Sequence, residues 1–331
     1  MTAIERIGVV GGGAWGTALA TTARLAARDV LLWARAPSVV DEINRKHANA
    51  AYLPDVTLDA ALAATTDLAR MAEVDAVLFA TPAQTQRSMA LALARHIAPG
   101  TPVVICAKGL EQGSGKLMTD VLAETMPDCR MAVLSGPGFA ADVVRGLPTA
   151  LTLACGDEGL GKALAEAIGC RHFRLYWTGD TAGVAFGGAM KNVLAIAAGI
   201  VDGRGLGASA HAALVTRGFA ELRRLGVAFG ANPETLVGLS GLGDLLLTCG
   251  SAQSRNMRLG QLLGKGRSLS EALAVLHSTA EGVYTAAAAV RYADAHGIDV
   301  PIAAAVHAII EGDVTVDAAI EGLLSRPFRA E

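Results

Sequence analysis

The residue with the clearest chemical potential in this sequence is Lys191, which is followed directly by Asn192. It is the one charged side chain among residues 181–201, TAGVAFGGAMKNVLAIAAGIV. Burial disfavours the protonated form of a lysine and lowers its pKa toward neutrality, where the amine can accept a proton from a hydroxyl group. Lys191 is therefore a candidate catalytic base. The main alternative is a lysine that follows an apolar surface and reaches water with its ammonium group.

A second group of polar side chains follows in the glycine-rich segment 238–256, GLSGLGDLLLTCGSAQSRN. Its members with chemical potential are Asp244, Thr248, Ser254, Arg255 and Asn256. An arginine can bind a phosphate through two parallel N–H bonds, and Ser254 or Ser251 can begin a helix whose first amides face the same anion. Asp244 can position Lys191 or a substrate hydroxyl. Helix caps and surface ion pairs are the alternative roles for these residues.

A glycine turn stands near the start of the chain, between a predicted strand at residues 4–10 and a predicted helix at residues 17–28. Gly11, Gly13 and Gly16 form the pattern GxGxxG. In this context the first glycine permits a tight turn, the second lets the backbone approach a pyrophosphate, and the third lets helix and strand pack closely. The pattern predicts a dinucleotide cofactor.

Arg35 indicates which dinucleotide the turn accepts. It follows the second predicted strand, at residues 30–34, where a strict NAD binder has an acidic residue for the ribose hydroxyls. A guanidinium suits a 2′-phosphate instead. We expect NADP(H) to be favoured or accepted, with NAD(H) also possible, unless Arg35 is an ordinary surface arginine.

The order of the predicted elements indicates an α/β protein with two domains. Apolar strands are predicted at residues 4–10, 30–34, 74–80, 102–107, 131–134, 150–154 and 173–177, and helices at residues 17–28, 84–97, 116–126 and 158–168. This alternation is typical of a doubly wound, mainly parallel, Rossmann-type sheet. After it, the pattern becomes long alanine-rich helices. We predict an NAD(P)-binding Rossmann domain at residues 1–179 and an all-helical substrate and catalytic domain at residues 180–331.

Composition and charge narrow the possible partners. The net charge of −3 gives no general attraction to nucleic acid. Five cysteines, an odd number without CxxC spacing, predict neither a disulfide framework nor a zinc site and fit a reducing cytoplasm. The histidines are scattered without ligand spacing, so no metal is expected. We predict no membrane span either, because a lysine in mid-bilayer costs about 2.5–3.5 kcal/mol and residues 181–201 also contain four glycines.

Taken together, these segments resemble the bacterial NAD(P)-dependent sn-glycerol-3-phosphate dehydrogenase family over nearly the whole chain. The matching motifs are GGGAWGTALA from Gly11, NAAYLPD from Asn49, AKGLE from Ala107, SGPGFA from Ser135, GLPTA from Gly146, GGAMKNVLAIAAGIVDG from Gly187, ALVTRG from Ala213, GLGDLLLTC from Gly241, SRN from Ser254 and EGV from Glu281. The resemblance implies a helical domain like the C-terminal domain of 6-phosphogluconate dehydrogenase. It also implies reversible reduction of dihydroxyacetone phosphate to sn-glycerol 3-phosphate for glycerophospholipid synthesis, and a homodimer.

The resemblance also implies roles for individual residues. Lys191 matches the proton-transferring lysine, and Asp244 the neighbouring carboxylate of the substrate site. Lys108 matches a lysine that lies between cofactor and substrate, and Arg255 with Asn256 the pair that binds the phosphate and reaches the cofactor. Other positions match the substrate backbone contacts Gly136 and Gly138, the cofactor set Ala14, Trp15, Arg35, Ala140 and Glu281, and the orienting groups Asn192 and Thr248.

Three positions depart from the family pattern. Ala185 stands near where a glutamate is expected, Ser209 near an expected asparagine, and Asp142 in place of a longer glutamate. The missing carboxylate at position 185 affects the expected electrostatics around Lys191. Two alternative functions remain open on the sequence. One is a β-hydroxyacid dehydrogenase of related fold, which would recognise a carboxylate, and the other is a protein that senses NADP(H) without turnover.

Overall fold

A computed structural model describes residues 3–276 and 280–327 of the chain. The chain divides into two compact units, each described by itself below. Unit 1 comprises Met1–Lys108 with Lys116–Ala185, and unit 2 comprises Gly109–Gly115 with Phe186–Glu331.

Unit 1 is built on one eight-stranded sheet. The strands are β1 (Arg6–Val10), β2 (Asp29–Trp33), β3 (Ala63–Thr65), β4 (Ala76–Phe79), β5 (Pro102–Ile105), β6 (Arg130–Ser135), β7 (Thr149–Ala154) and β8 (Phe173–Thr178). Their order in the sheet is β3-β2-β1-β4-β5-β6-β7-β8. All neighbouring pairs are parallel except β6 and β7. The predicted doubly wound, mainly parallel sheet is confirmed.

The centre of the sheet is a dry apolar core, which fixes the position of the glycine turn. Strand β1 lies between β2 and β4, with Val10 opposite both Trp33 and Phe79. Val9, Val10 and Phe79 are fully buried. Strands buried on both faces read as continuous apolar runs in the sequence. Since β1 ends at Val10, the turn that follows lies at the carboxyl edge of the parallel strands, where ligands bind in open α/β sheets.

The helices of unit 1 are α1 (Ala14–Leu25), α2 (Pro37–Lys46), α3 (Gln86–Leu93), α4 (Met118–Thr125), α5 (Ala140–Val144) and α6 (Glu158–Ile168), with 3₁₀ turns at Leu68–Glu73 and Ala83–Thr85. Helix α1 begins three residues earlier than the predicted start at Thr17, because the glycine turn itself supplies the first helical turn. Helix α2 and strand β3 are additions to the predicted elements.

Unit 2 is helical. Its helices, together with the long helix that precedes them in the chain, are α7 (Thr181–Gly203), α8 (Ala208–Ala228), α9 (Pro233–Leu236), α10 (Asp244–Cys249), α11 (Arg255–Gly264), α12 (Leu269–Leu276), α13 (Glu281–His296), α14 (Pro301–Glu311) and α15 (Val316–Leu324). A π-helical turn, Leu239–Gly243, leads directly into α10. Between residues 186 and 327 the described part of the chain contains no strand.

Helix α7 has the length and composition of a membrane span but is a core helix of this protein. Its most apolar 18-residue window has a mean hydropathy of 1.7 and is entirely buried inside the protein. Glycines let α7 pack on α11 with the two backbones in contact. A Cβ on Gly199 would lie 2.1 Å from the carbonyl oxygen of Met257, and a Cβ on Gly260 would lie 2.0 Å from that of Ile196. A methyl group is therefore excluded at both positions.

Candidate active site

Backbone packing sets the position of Lys191. One helical turn before it on α7, Gly187 lies so close to the π-helical turn that a Cβ there would be 2.7 Å from the carbonyl oxygen of Ser240. Residues four apart lie on the same face of a helix. Lys191 and Asp244 each stand four residues beyond this contact, one on α7 and the other at the start of α10, so their side chains meet.

Lys191 is the centre of a buried polar triangle. Its Nζ donates to Oδ1 of Asp244 at 2.5 Å and to Oγ1 of Thr248 at 2.9 Å. The Thr248 hydroxyl also donates to Oδ1 of Asp244 at 3.2 Å. The side chains of Lys191 and Asp244 are 10% and 1% exposed. The structure thus brings together three of the predicted catalytic residues and rules out a lysine whose ammonium extends into water.

The paired carboxylate changes the expected electrostatics of the lysine. Burial alone disfavours the ammonium form, whereas a carboxylate in contact favours it. The two charges of a buried ion pair depend on each other, because removing either partner would leave the other charge buried and uncompensated. Ala185, near the position of an expected glutamate, is buried and has no carboxylate. The carboxylate in contact with Lys191 is that of Asp244. Burial raises the pKa of the nearby Cys249 thiol to about 12, which keeps that thiol protonated and unreactive.

Asn192 belongs to a separate hydrogen-bonded group next to Lys191. The side-chain amide of Asn256 donates to Oδ1 of Asn192 at 2.9 Å, and its oxygen accepts the backbone N–H of Gly282 at 3.1 Å. A Cβ on Gly282 would lie 2.6 Å from the carbonyl oxygen of Asn192. This group joins α7, the first turn of α11 and the first turn of α13, which begins at Glu281.

Arg255 stands at a helix start that suits an anion. Ser254 is the N-cap of α11, and its hydroxyl accepts the backbone N–H of Met257 at 3.2 Å. Of the two serines predicted to begin this helix, Ser254 does so. Arg255 is the first residue of the helix and is exposed, and the first turn contains no acidic residue. A helix start without acidic residues and an exposed guanidinium next to it both favour an anion.

In unit 1 the glycine turn has the geometry that a dinucleotide requires. A Cβ on Gly16 would lie 1.8 Å from the carbonyl oxygen of Gly11, so helix and turn are in backbone contact. A Cβ on Gly13 would meet nothing within 4 Å. The first turn of α1 contains no acidic residue. Open space beside Gly13 and the amides of Ala14, Trp15 and Gly16, which lack acceptors within the helix, fit a pyrophosphate.

Lys108 extends the same edge of the sheet. Its Nζ donates to the carbonyl oxygen of Gly136 at 2.9 Å and lies 5.8 Å from the ring centroid of Trp15. Gly136 has φ +144°, and a Cβ there would lie 3.0 Å from Cα of Leu151, so a side chain at this position would be strained and crowded. A Cβ on Gly138 would lie 3.5 Å from the Trp15 ring. The structure thus brings four of the predicted site residues together.

Two further predicted cofactor positions lie in unit 1. Arg35 is exposed just after β2, and Ala140 is the first residue of α5. Of the departures from the family pattern, Asp142 lies in the first turn of α5 and Ser209 is exposed in the first turn of α8. Within residues 3–276 and 280–327, no group of three or more histidine, cysteine or acidic side chains could hold a metal ion.

Comparison with known proteins identifies the family. The model of the NAD-dependent glycerol-3-phosphate dehydrogenase N-terminus matches residues 6–160, and that of the C-terminus matches residues 180–321. The chain belongs to this family. It is 56% identical over 329 residues to the glycerol-3-phosphate dehydrogenase [NAD(P)+] of Parvibaculum lavamentivorans, with 99% of each chain covered. It is also 56% identical over 327 residues to the enzyme of that name from Caulobacter vibrioides, again with 99% of each chain covered.

A solved structure agrees with this assignment. The crystal structure of glycerol-3-phosphate dehydrogenase from Coxiella burnetii matches with a TM-score of 0.93 and 38% identity, covering 98% of this chain and 99% of that one. The family predicted from the motifs is confirmed, and so is the fold class.

Some features of the site have no clear signal in the sequence. Gly282 was not singled out, although its N–H binds Asn256 and its missing side chain admits α7. In the sequence, the π-helical turn before Asp244 is apparent only as a glycine-rich stretch. For both features the available clue in the sequence is a glycine next to an assigned residue. Such a glycine can mark a place where two backbones lie too close together for a side chain.

Proposed function

We propose that this protein is an NAD(P)-dependent sn-glycerol-3-phosphate dehydrogenase that interconverts dihydroxyacetone phosphate and sn-glycerol 3-phosphate. The observation that carries the proposal is the 56% identity, over 99% of both chains, to a bacterial enzyme of that name. The buried contact of Lys191 with Asp244 and Thr248 supports it, because an alcohol dehydrogenation needs a group that moves a proton at the oxygen.

Lys191 is the proposed proton donor and acceptor. In the direction of reduction its ammonium donates a proton to the oxygen at C2 of the substrate and stabilises the negative charge that grows there. Asp244 and Thr248 hold Nζ in place, so less orientational freedom has to be lost on reaching the transition state. Asn192, adjacent on α7, acts as an orienting group. A bound nicotinamide cofactor supplies or accepts the hydride.

The phosphate of the substrate is assigned to the start of α11. Arg255 binds it through its guanidinium. Ser254 begins the helix and takes the N–H of Met257, and the remaining first-turn amides are assigned to the same anion. Asn256 contributes its remaining N–H to this end of the substrate. Lys108 with the backbone of Gly136 and Gly138 supplies further contacts to the substrate, and Lys108 also reaches the cofactor.

The cofactor is assigned to the glycine turn and to the residues around it. Gly11, Gly13 and Gly16 admit the pyrophosphate, and Arg35 accepts a 2′-phosphate, so NADP(H) is favoured or accepted, with NAD(H) as the alternative cofactor. The other proposed cofactor residues are Ala14, Trp15, Lys108, Ala140, Arg255 and Glu281. In this assignment residues 1–179 form the NAD(P)-binding domain and residues 180–331 the substrate domain. The enzyme acts as a cytoplasmic homodimer and supplies glycerophospholipid synthesis.

The proposal is tested by the oxidation of reduced cofactor, followed by absorbance, with three-carbon substrates that carry a phosphate or a carboxylate. NADPH and NADH are tested separately. We expect turnover with dihydroxyacetone phosphate and none with the keto or aldehyde acids that a β-hydroxyacid dehydrogenase would reduce. Turnover with carboxylate substrates alone would instead favour a β-hydroxyacid dehydrogenase. Cofactor binding without any turnover would favour a redox sensor.

Arg255→Ala tests the phosphate site. We expect it to raise the KM for dihydroxyacetone phosphate by about 10-fold to 100-fold, because a charge-assisted hydrogen bond contributes about 1.5–3 kcal/mol. Arg258→Ala is the matched control, since Arg258 is exposed on the same helix one turn later. An Arg255→Ala enzyme with reduced stability but an unchanged KM would contradict the assignment.

A further inference from the structure

A buried asparagine outside the assigned site touches the glycine turn. Asn49 lies in the irregular segment between α2 and β3 and is fully buried. Its side-chain Nδ2 donates to the carbonyl oxygen of Gly12 at 3.0 Å and to the hydroxyl of Thr17 at 2.8 Å. Both N–H groups of the amide are thus used. Its Oδ1 has no hydrogen-bond partner within residues 3–276 and 280–327.

The two acceptors of Asn49 lie on either side of the start of α1. Gly13 is the N-cap of the helix, so Gly12 is the residue before the cap and Thr17 is the fourth helical residue. In many helices these two positions are joined by apolar side chains, which fix the angle at which the chain enters the helix. Gly12 has no side chain for such a contact. Here an amide from a distant segment joins the two positions by hydrogen bonds.

The bond to Gly12 determines the direction of a neighbouring N–H. The described residues contain no cis peptide bond, and in a trans peptide the C=O of one residue and the N–H of the next point in opposite directions. Since the Gly12 carbonyl points inward at Asn49, the Gly13 N–H points away from it. A Cβ on Gly13 would meet nothing within 4 Å, so the space beside this residue is open.

The segment that carries Asn49 is itself held in place. The carbonyl oxygen of Asn49 accepts the N–H of Tyr52 at 3.1 Å and that of Leu53 at 2.8 Å, which closes a turn at the asparagine. Leu53 is buried. The amide of Asn49 is therefore presented by a fixed backbone and does not need to be ordered when the cofactor binds.

We propose that Asn49 is a positioning residue of the cofactor site, which orients the Gly12–Gly13 peptide so that the Gly13 N–H faces the pyrophosphate. The inference rests on the proposed dinucleotide site. Asn49 contacts the protein backbone and not the ligand, so its contribution concerns the pyrophosphate and leaves the adenosine end unaffected.

The test measures dissociation constants, by calorimetry or by the fluorescence of the reduced nicotinamide, for an intact cofactor and for a fragment without the pyrophosphate. The pairs are NADPH with adenosine 2′,5′-bisphosphate and NADH with AMP. Asn49→Leu keeps the volume of the side chain and removes both donors. We expect a Kd for the intact cofactor that is raised about tenfold, consistent with the loss of two neutral hydrogen bonds, and a Kd for the fragment that changes by less than about twofold.

Asn44→Leu is the matched control. The amide of Asn44 also makes two bonds to backbone, to the oxygen and the N–H of Ala64, but on β3 and not on the glycine turn. It is expected to leave both constants unchanged. Thr17→Val, which removes one acceptor and keeps the bond to Gly12, should raise the Kd of the cofactor by only about twofold to threefold. It provides the test should Asn49→Leu fail to fold.

The outcomes separate the two hypotheses. If Asn49→Leu and Thr17→Val bind the intact cofactor as the unmodified protein does, or if cofactor and fragment are weakened equally, the positioning role of Asn49 is wrong. If the unmodified protein binds neither NADPH nor NADH, the proposed dinucleotide site fails, whatever Asn49 does.

Discussion

Two buried carboxylates in the helical unit are stabilised in different ways. Asp244 is paired with the ammonium of Lys191 at 2.5 Å. Glu221, on α8, is 2% exposed and accepts the backbone N–H groups of Ile302 and Ala303 at 2.8 and 3.1 Å, in the first turn of α14. Burial raises the pKa of Glu221 to about 7, and the two backbone N–H groups offset part of that rise.

The difference shows how the same functional group serves chemistry in one place and folding in the other. A carboxylate paired with an ammonium is coupled to the proton that the ammonium carries. Arg224 lowers the pKa of Glu221 and Asp299 raises it, both less than the backbone N–H groups at the helix start lower it. Such a carboxylate caps a helix, and we expect it to take no part in turnover. Loss of the ion pair of Asp244 should therefore alter kcat, and substitution of Glu221 should alter the free energy of unfolding.

Removing the ammonium should have the largest effect. Lys191→Ala is expected to lower kcat by about 100-fold or more, since acid-base assistance is lost, while the Kd of the cofactor stays nearly unchanged. It should also lower the free energy of unfolding by about 3–5 kcal/mol, because the charge of Asp244 is left buried and unpaired. Steady-state kinetics and urea unfolding measure the two effects, and unchanged turnover would remove Lys191 from the mechanism.

A double variant separates these two consequences. In Lys191→Ala combined with Asp244→Asn, the unpaired charge is gone. We expect part of the lost stability to return while kcat stays low. If stability does not return, the unpaired charge of Asp244 is not the cause of the stability lost in Lys191→Ala.

The pH dependence of stability should distinguish Glu221. Its folded pKa near 7 exceeds the ordinary value of 4.5, so the folded state holds the proton more tightly than the unfolded state does. The associated stabilisation is present below pH 4.5 and is lost as pH rises through 7. Between pH 5 and pH 8 the free energy of unfolding should fall by roughly 2–3 kcal/mol more in the unmodified protein than in Glu221→Gln.

Urea unfolding at both pH values provides this measurement, with Glu234→Gln as the control, because Glu234 is an exposed glutamate on α9. The control should follow the unmodified protein at both pH values, and Glu221→Gln should retain its kcat. A parallel decline in all three proteins would show that Glu221 does not titrate in this range.

The smallest expected effect concerns the hydroxyl of the buried triangle. Thr248→Val removes one hydrogen bond to Nζ of Lys191 and leaves the ion pair in place. We expect kcat to fall by about threefold to tenfold, in keeping with the loss of a single hydrogen bond to a charged group. Thr216→Val, at an exposed position of α8, is the control in the same kinetic assay. An unaffected Thr248→Val enzyme would show that the Thr248 hydroxyl does not position the lysine.

The sequence predicted the central strands well because they are apolar runs buried on both faces. It did not predict β3, since Ala63–Thr65 is three small residues whose strand conformation depends on pairing with β2. Helix α2 was also missed, although Pro37 at its first position and the buried Val39 and Ile43 carry a helical pattern. The reversed direction of β7 has no local signal, because strand direction depends on the connection and not on the composition of the strand.

The candidate site was predictable where motifs identify single residues. Lys191 and Asp244 are 53 positions apart, and the motifs indicated that they are neighbours. What the sequence could not supply is the contact that aligns them, between Gly187 and the π-helical turn at Ser240. Asn49 was likewise visible only as part of a motif. Its function depends on a hydrogen bond to a backbone oxygen 37 positions away, which no residue type encodes.

The glycine-to-glycine packing of α7 on α11 limits how this protein can be redesigned. Because Gly199 and Gly260 each face a carbonyl oxygen of the other helix at a distance too short for any added carbon, the two helices share one fixed spacing. Directed evolution of substrate preference can therefore alter the side chains around Lys191 and Arg255, but a mutant library should leave both glycines constant.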